Sequence, residues 1–405
     1  MNFFDKFDWD TMLNAHAPAR YDISEYFNIL CPQEDWPLFL NRYLELPVLK
    51  RLEGVGLLCG TDWTPLYKNR FYYSRLDHSL GVALIVWHFT HDKAQTIAGL
   101  LHDISTPVFS HVSDFRKGDM LTQTATEEPT AEIIRGDAGL ARLLAEDGLT
   151  AAQVEDYHIY PIADNEIPQL SADRLEYMFP SGMALDGSWT MDEIRRCYND
   201  LTILKNEDGQ DELGFQHLEI AELYCEHFCM IGHILQLNEN KLALHMLGQI
   251  MNQAEKEGVL TEADFMRLSE KEVINKLEKS LSLSGLTRQS LQKQSVADSR
   301  IKSGNDIQLL SRMYGTFRTM TSIEHTNEPL DEKEYFCISL KVKQRYINPL
   351  VMDPRVKPED DNPAMSLSGL TRQSIRLSDI SEQARTIIED FKSYSDTAYG
   401  CVKLL

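Results

Sequence analysis

The chain has 405 residues, of which 43% are hydrophobic and 25% are charged, and its formal net charge is −22. This composition predicts a largely globular protein rather than a disordered one. Such an acidic surface repels other polyanions, so it argues against nucleic acid or an anionic membrane as the main partner.

Targeting signals and cysteines indicate the compartment. No apolar run approaches the length of a membrane span, and the first residues lack the basic and apolar regions of a signal peptide. Seven cysteines are widely spread, with no paired framework, which is typical of a reducing compartment. We therefore expect a cytoplasmic protein with no membrane partner.

The first 280 residues show mainly helical spacing of apolar residues. Helices are predicted at 36–58 (interrupted at Pro47), 78–90, 93–103, 127–146, 150–157, 168–178, 215–236, 240–256 and 262–280. Residues 314–322 and 335–343 alternate in polarity and predict a β-hairpin, and 379–397 predict a terminal helix. We expect a helical core at 1–280 and a C-terminal lobe at 281–405, with flexible loops near 282–305 and 352–375.

A nine-residue repeat, SLSGLTRQS, occurs identically at 282–290 and 366–374. One interpretation is a reused turn that begins a helix, with a hydroxyl side chain as N-cap. The alternative is an anion site, since each copy offers hydroxyls and one arginine, Arg288 or Arg372.

A charged pair interrupts an apolar stretch in AGLLHDISTPVFSH, residues 98–111. Burying His102 and Asp103 is costly unless they are paired or bind a metal. Pro107 indicates that the helix ends nearby, where two adjacent side chains can reach one ion. The other such pair, His91-Asp92, lies in a polar stretch and is interpreted as a surface feature.

Two further candidates open apolar helices. His78 lies in FYYSRLDHSLGVALI, and Asp173 lies in LSADRLEYMF. Histidine nitrogen together with carboxylate oxygen suits a divalent ion, and Mn, Fe, Mg, Co and Zn all remain open. By contrast, Cys225, Cys229 and His233 spread over about 12 Å of helix, too far for one ion, and are predicted to face the core.

These motifs resemble a known family. The order His78, His102-Asp103, Asp173 is similar to the signature of HD-domain metal-dependent phosphohydrolases. The segments SRLDHSLGV, AGLLHDISTPVFSH and SADRLEYMF resemble the deoxynucleoside triphosphate triphosphohydrolase branch of that family. Later segments, DFMRLSEKEVINKLEKS and RYINPLV…RLSDIS, extend the resemblance over most of the chain. It implies an HD-domain helical bundle.

The resemblance also implies roles for individual residues. His78, His102, Asp103 and Asp173 would bind the metal, which polarises a phosphoryl oxygen and activates water. His111 would transfer a proton, oriented by Asp114. Positions that would contact the nucleotide are Arg75, Arg174 and Tyr177.

The sequence departs from the family pattern at three places. Thr106 stands where the family has histidine. The catalytic His-Glu pair has its nearest match in Glu127-Glu128, which makes Glu128 the candidate third catalytic residue. After Tyr177 the chain reads MFPSG, without the acidic residue that reads the sugar 3′-hydroxyl. These departures leave diphosphate, monophosphate and unusual nucleotides open as substrates.

The resulting functional prediction is hydrolysis of a nucleotide, with a (deoxy)nucleoside triphosphate cleaved to nucleoside and triphosphate as the favoured form. The alternatives are a nucleotidase or pyrophosphohydrolase, and a nucleotide sensor without turnover. By the same resemblance we expect a homo-oligomer and a nucleotide effector, to whose site Arg288 and Arg372 would contribute.

Overall fold

The computed structural model describes residues 2–6, 22–121, 129–291, 301–353, 374–396 and 398–405, without the side chains of 5–6, 283–291 and 301–306. Within these ranges helices dominate, and the strands of both sheets follow residue 200. The predicted mainly α fold with a short antiparallel sheet in the C-terminal part is confirmed. No helix in these ranges combines the length and apolarity needed to cross a membrane.

The helices of the first half surround the predicted metal ligands. They are α1 (Ile23–Leu30), α2 (Leu40–Leu44), α3 (Pro47–Lys50), α4 (Arg75–Thr90), α5 (Lys93–Leu101), α6 (Val112–Lys117), α7 (Thr130–Gly136), α8 (Ala138–Glu146), α9 (Ala172–Leu185) and α10 (Met191–Asp200). Short 3₁₀ helices lie at Arg51–Gly54, Thr61–Trp63, Ala151–Gln153 and Tyr157–Ile159.

The second half adds longer helices and the strands. They are β1 (Leu201–Lys205), β2 (Asp211–Phe215), α11 (Leu218–Gln236), α12 (Asn238–Lys256), α13 (Glu262–Arg267), α14 (Glu270–Leu291), α15 (Ile301–Thr319), β3 (Glu324–Thr326), β4 (Tyr335–Ile338), β5 (Leu350–Met352), β6 (Ser374–Arg376), α16 (Leu377–Ile380), α17 (Glu382–Ser393) and β7 (Tyr399–Lys403).

Helix α4 is the centre of the bundle. It packs against α1, α5 and α9, and five consecutive residues, 82–86, are fully buried. A helix that is buried on every side must be apolar all round, which explains its run VALIV. His78, itself buried, therefore lies on an enclosed helix.

The strands form two sheets within the described residues. One has the order β1-β2-β5-β6, and the other has the order β3-β7-β4 with antiparallel pairing throughout. Strand β5 pairs in parallel with β2 through Gly214 and Leu350. This pairing joins the predicted C-terminal lobe to the predicted core; the division into two domains stays a prediction.

One predicted strand is wrong. Residues 314–319 of the predicted strand 314–322 continue α15. Leu310, Met313, Tyr314 and Phe317 are buried, and their spacing follows the helical period of about 3.6 rather than alternation. The other predicted strand begins correctly at Tyr335 but ends at Ile338.

The expectation of unpaired cysteines also needs correction. Cys337 and Cys401 lie opposite each other on β4 and β7 and form a disulfide. The pairing spans 64 residues of sequence, so no local spacing reveals it. The other five cysteines are free thiols.

Candidate metal centre and active-site cavity

The start of α4 positions His78. The hydroxyl of Ser74 accepts a hydrogen bond from the backbone N–H of Asp77 at 3.1 Å, and the Asp77 carboxylate accepts from the backbone N–H of Ser74 at 3.0 Å. This reciprocal capping fixes the first turn of the helix. His78 projects from that turn and is buried.

The end of α5 positions the His102-Asp103 pair. Helix α5 ends at Leu101, and His102 is its C-cap residue. The Nδ1 atom of His102 lies 2.7 Å from the carbonyl oxygen of Gly99. Because a carbonyl only accepts, Nδ1 carries the ring proton and the lone pair of Nε2 points away from the helix.

The two histidine rings meet at their Nε2 atoms, which are 3.2 Å apart. Asp103 Oδ2 lies 3.8 Å from Nε2 of His78 and 3.6 Å from Nε2 of His102. The three ligand atoms fall within 4.8 Å of one another, which lets the group hold a metal ion.

The chemistry of these donors fits a divalent cation. The Nδ1 atom of His78 forms a hydrogen bond with Glu176 Oε2 at 2.6 Å. Nε2 of this ring therefore faces the cluster, as Nε2 of His102 does. Two facing lone pairs repel unless positive charge lies between them. Metal–nitrogen bonds of about 2.0–2.1 Å let both atoms reach one ion, and the donor set does not choose among Mn, Fe, Mg, Co and Zn.

Asp173 lies on the other side of the pair. Its Oδ1 atom is 3.1 Å from Nε2 of His78 and 3.8 Å from Nε2 of His102. Burial alone would lower the pKa of His78, but hydrogen bonds to Asp173 and Glu176 raise it to about 10. The surroundings therefore favour positive charge at this point, which the Nε2 proton supplies without a metal and which a bound ion would supply in its place. The structure thus brings together all four residues that the sequence predicted as ligands.

Glu176 is a site residue that sequence reasoning missed. It is buried, and its carboxylate accepts hydrogen bonds from Tyr26 at 3.0 Å and Tyr73 at 2.6 Å besides contacting His78. The carboxylate therefore orients the histidine ring. The sequence feature that could have identified Glu176 is its position three residues after Asp173, on the same face of α9.

Asp103 is held by two neighbours. Arg75 Nη1 donates to Oδ2 at 2.8 Å, and the Thr106 hydroxyl donates to Oδ1 at 2.7 Å. Burial opposes ionisation, but the charges of Arg75 and His102 hold the pKa of Asp103 well below its usual range. Arg75, predicted to contact the nucleotide, thus forms a buried ion pair with a candidate metal ligand.

His111 and Asp114 form a hydrogen-bonded pair. Phe109 and Ser110 have positive φ values of 61° and 52°, and this tight turn precedes His111. Its Nδ1 atom lies 2.9 Å from Oδ2 of the buried Asp114, which leaves Nε2 to exchange a proton. Burial lowers the pKa of His111, and the hydrogen bond to Asp114 partly opposes this decrease.

A cavity joins the metal cluster to His111. Its polar and charged lining residues include His78, His102, Asp103, Asp173, Arg75, Thr106, His111 and Tyr177. Its apolar lining residues include Leu57, Leu58, Phe115, Met178, Leu185, Leu235, Leu244 and Val342. Gln236, Asn240, Lys343 and Arg345 also reach it. A mixed wall of this kind is typical of a small-molecule site.

Arg174, predicted to meet phosphate, takes a different place. It is buried, and its guanidinium pairs with Asp164 at 3.2 Å and donates to the carbonyl of Gln169 at 2.9 Å and to Asn165. Among the described residues that line the cavity, Arg174 is absent. Adjacent residues on a helix point about 100° apart, so Arg174 faces away from the histidines that Asp173 contacts.

Three predicted site residues lie outside the residues or side chains that the structure describes. Glu128 and Arg372 fall in the ranges 122–128 and 354–373, and Arg288 belongs to α14 without a described side chain. Their proposed catalytic and anion-binding roles stay predictions.

The residues interpreted as structural are found in such positions. Cys225 and Cys229, both on α11, are fully buried in the hydrophobic core. The ring of His233 stacks on the ring of Phe4, with 4.5 Å between the ring centroids. His91, of the second His-Asp pair, is exposed and contacts Asp35.

Comparisons with curated proteins give distant relatives. The chain is 27% identical over 162 residues to the metal-dependent phosphohydrolase cns2 of Cordyceps militaris, covering 40% of this chain and 45% of the relative. It is 26% identical over 142 residues to the uncharacterized protein YdhJ of Bacillus subtilis, covering 34% and 41%. The chain thus matches less than half the length of either relative. No family model matches the sequence.

Solved structures share the fold. A phosphohydrolase from Bacteroides thetaiotaomicron superposes with a TM-score of 0.54 at 13% identity, over 90% of this chain and 95% of that chain. A hypothetical protein from Aquifex aeolicus gives 0.55 at 14% identity, over 90% and 91%. The likeness extends over nearly the whole length of all three chains and shows a common fold.

Proposed function

We propose that the protein is a metal-dependent phosphohydrolase of the HD type that cleaves a phosphate ester of a nucleotide. The observation that carries the proposal is the pair of facing Nε2 atoms of His78 and His102 beside Asp103, in one cavity with His111. The name of the Cordyceps relative and the HD-family resemblance of the motifs support it. The proposal covers phosphohydrolysis in general, and the deoxynucleotide branch is its finer form.

The bound ion would supply charge to polarise a phosphoryl oxygen and to lower the pKa of water. His78, His102 and Asp103 would hold it, with Asp173 beside them. His111, with its proton on Nδ1 directed at Asp114, would accept or return a proton at Nε2. The apolar wall would exclude water from the rest of the substrate.

The cavity suits a nucleotide because its wall offers both polar and apolar side chains. Aliphatic and aromatic side chains can cover a base or sugar, while the amides of Gln236 and Asn240 can recognise polar edges. The finer form of the proposal is cleavage of a (deoxy)nucleoside triphosphate to nucleoside and triphosphate, which rests on the resemblance of the three motifs.

One observation favours a second candidate, a nucleotidase acting on a substrate with fewer phosphates. Arg75 is neutralised by Asp103, and Arg174 is bound to Asp164 away from the cavity. Two cations expected to meet a triphosphate are therefore already paired. A single phosphate needs less positive charge in the site.

Metal analysis combined with a nucleotide hydrolysis screen tests the proposal. Purified protein would be loaded with Mn, Fe, Mg, Co or Zn, and products would be identified by mass spectrometry. Released triphosphate supports the first form, and released orthophosphate supports a nucleotidase. Tight nucleotide binding without turnover for every metal would overturn the proposal and favour a sensor.

The two His-Asp pairs supply a matched control. Asp103→Asn should lose metal and activity, because it removes a charged ligand. Asp92→Asn changes the equivalent residue of the surface pair and keeps an N-cap side chain, so it should behave as wild type. Full activity of Asp103→Asn would contradict the metal assignment.

Self-association, a nucleotide effector and a cytoplasmic location are also part of the proposal. Sedimentation with and without nucleotides would test the first two, because an effector that promotes assembly shifts the distribution of species. Cell fractionation would test the third.

A further inference from the structure

The segment between β4 and β5 closes one side of the cavity. It is anchored at the two residues that precede Arg345. The N–H of Lys343 donates to the carbonyl of Met120 at 3.1 Å, and the carbonyl of Lys343 accepts from Gln236 at 3.0 Å. The side chain of Gln344 donates to the carbonyl of Tyr394 at 3.1 Å. The side chain of Arg345 therefore extends from a fixed part of the backbone.

Arg345 contrasts with the other arginines near the site. It lines the cavity, yet across the described ranges its guanidinium has neither a carboxylate within ion-pair distance nor a hydrogen-bond acceptor. Arg75 and Arg174 both have carboxylate partners. In a chain with 62 acidic and 40 basic residues, a cavity arginine without an acidic partner indicates that its partner is a ligand.

The charge of Arg345 acts on two other cavity residues. Burial lowers the pKa of His111, and the positive charge of Arg345 adds to that decrease. Burial raises the pKa of Tyr177 to about 12, and the charge of Arg345 opposes that rise. The guanidinium is thus electrostatically close to both His111 and Tyr177.

Tyr177 presents a second donor that lacks an acceptor. Its hydroxyl oxygen is buried without a hydrogen-bond partner among the described residues, although buried polar atoms nearly always have one. A phosphate oxygen accepts hydrogen bonds from both a hydroxyl and a guanidinium, and the guanidinium can bind two oxygens at once.

We propose that Arg345 is a substrate-binding residue that holds a phosphate group beside His111, with the Tyr177 hydroxyl as a second donor. The site would then be built from two distant parts of the chain: the metal cluster from residues 78–173 and the phosphate clamp from the segment before β5. This inference rests on the proposed function, since it names how that site holds its substrate.

Inorganic phosphate is the direct probe, because it requires no knowledge of the nucleotide. Binding would be measured by calorimetry on metal-loaded protein. Arg345→Gln should weaken phosphate binding by about 10- to 100-fold, the size of a lost charge-assisted contact. Arg345→Lys should lie between, because an ammonium keeps the charge but not the planar fork. Tyr177→Phe, which deletes one oxygen, should weaken binding about threefold to tenfold.

A neighbouring lysine provides the control. Lys341 is exposed on the same segment and does not line the cavity, so Lys341→Gln removes one positive charge without touching the site. It should bind phosphate as wild type does. All variants should keep wild-type metal content, since none of these residues belongs to the metal cluster.

The outcomes separate this inference from the proposed function. Arg345→Gln with wild-type metal content and unchanged phosphate affinity would overturn the role of Arg345 and leave hydrolysis untouched. A wild-type protein that cleaves no nucleotide with any metal would overturn the proposed function, while phosphate binding would still decide the role of Arg345. Equal losses in Arg345→Gln and Lys341→Gln would also overturn the inference, because they would reflect net charge alone.

Discussion

His78 and His102 face each other through Nε2 atoms 3.2 Å apart, and the Nδ1 atom of each ring is bonded to an oxygen acceptor. The second-layer acceptors Glu176 and the Gly99 carbonyl determine which nitrogen of each ring carries the proton. The cluster is therefore arranged for a metal before any metal arrives.

Metal binding should raise the thermal stability of the protein. A ligand bound only by the folded state adds about 2.7 kcal/mol at a concentration 100 times its Kd. We expect the melting temperature to rise on adding Mn or Zn, measured by scanning calorimetry, and we expect no rise for His102→Ala. The control is His91→Asn, because His91 has φ of 50° and asparagine tolerates that conformation. A metal-induced rise in His102→Ala equal to that of wild type would refute the assignment.

Thr106 should tune the metal affinity through Asp103. Thr106→Val keeps the shape but removes the hydroxyl that donates to Asp103 Oδ1 at 2.7 Å. Loss of such an orienting contact costs about 10- to 100-fold in metal affinity, measured by competition with a chelating dye. Thr106→Ser, which keeps the donor, should stay close to wild type. Identical affinities for the valine and serine variants would show that the contact is unimportant.

Gly81 should be required by the carboxylate that orients His78. A Cβ atom at Gly81 would lie 2.4 Å from Glu176 Oε1, so Gly81→Ala forces Glu176 to move. We expect destabilisation of about 1–3 kcal/mol together with weaker metal binding, measured by urea unfolding and metal titration. A matched variant, Gly136→Ala, meets no atom within 4 Å and should be neutral or slightly stabilising. Wild-type behaviour of Gly81→Ala would remove the role given to Glu176.

The pH dependence of the rate should report His111. Its neutral form accepts a proton, and its pKa lies below the ordinary value because burial outweighs the hydrogen bond to Asp114. The rate should therefore fall only as the pH drops below about 6.5. Asp114→Asn removes the contact that raises the pKa, so the acid limb of the kcat/KM profile should shift to lower pH. The rate at neutral pH should fall about tenfold or more.

His111→Gln distinguishes this from an indirect effect. Glutamine does not titrate, so the acid limb should disappear along with most of the activity. An acid limb at the same pH in wild type, Asp114→Asn and His111→Gln would assign the titration to another group.

The candidate metal cluster was predictable because its signal is local. His102 and Asp103 interrupt an apolar run at a helix end, and His78 and Asp173 each open a buried helix. Residues that meet only in the folded chain, far apart in the sequence, carry no such local signal. Arg345 lies more than 170 residues after Asp173, and nothing in its neighbourhood indicates a cavity.

Other errors have the same origin. The segment 314–322 alternates in polarity over a few residues, and only the burial of Leu310 and Met313 before it reveals the helical period. The pairing of Cys337 with Cys401 depends on two strands meeting across a sheet. Strands β1 and β2 were not predicted, because LTILK is short and DELGF lacks clear alternation of polar and apolar residues.

The position of Arg345 in the chain has a consequence for biosynthesis. The candidate metal ligands end at residue 173, whereas the segment that carries Arg345 is anchored partly on Tyr394. During synthesis these ligands would therefore leave the ribosome long before the residues that complete the proposed phosphate clamp. Until Tyr394 has been made, a growing chain would lack the anchor that holds Arg345 in place.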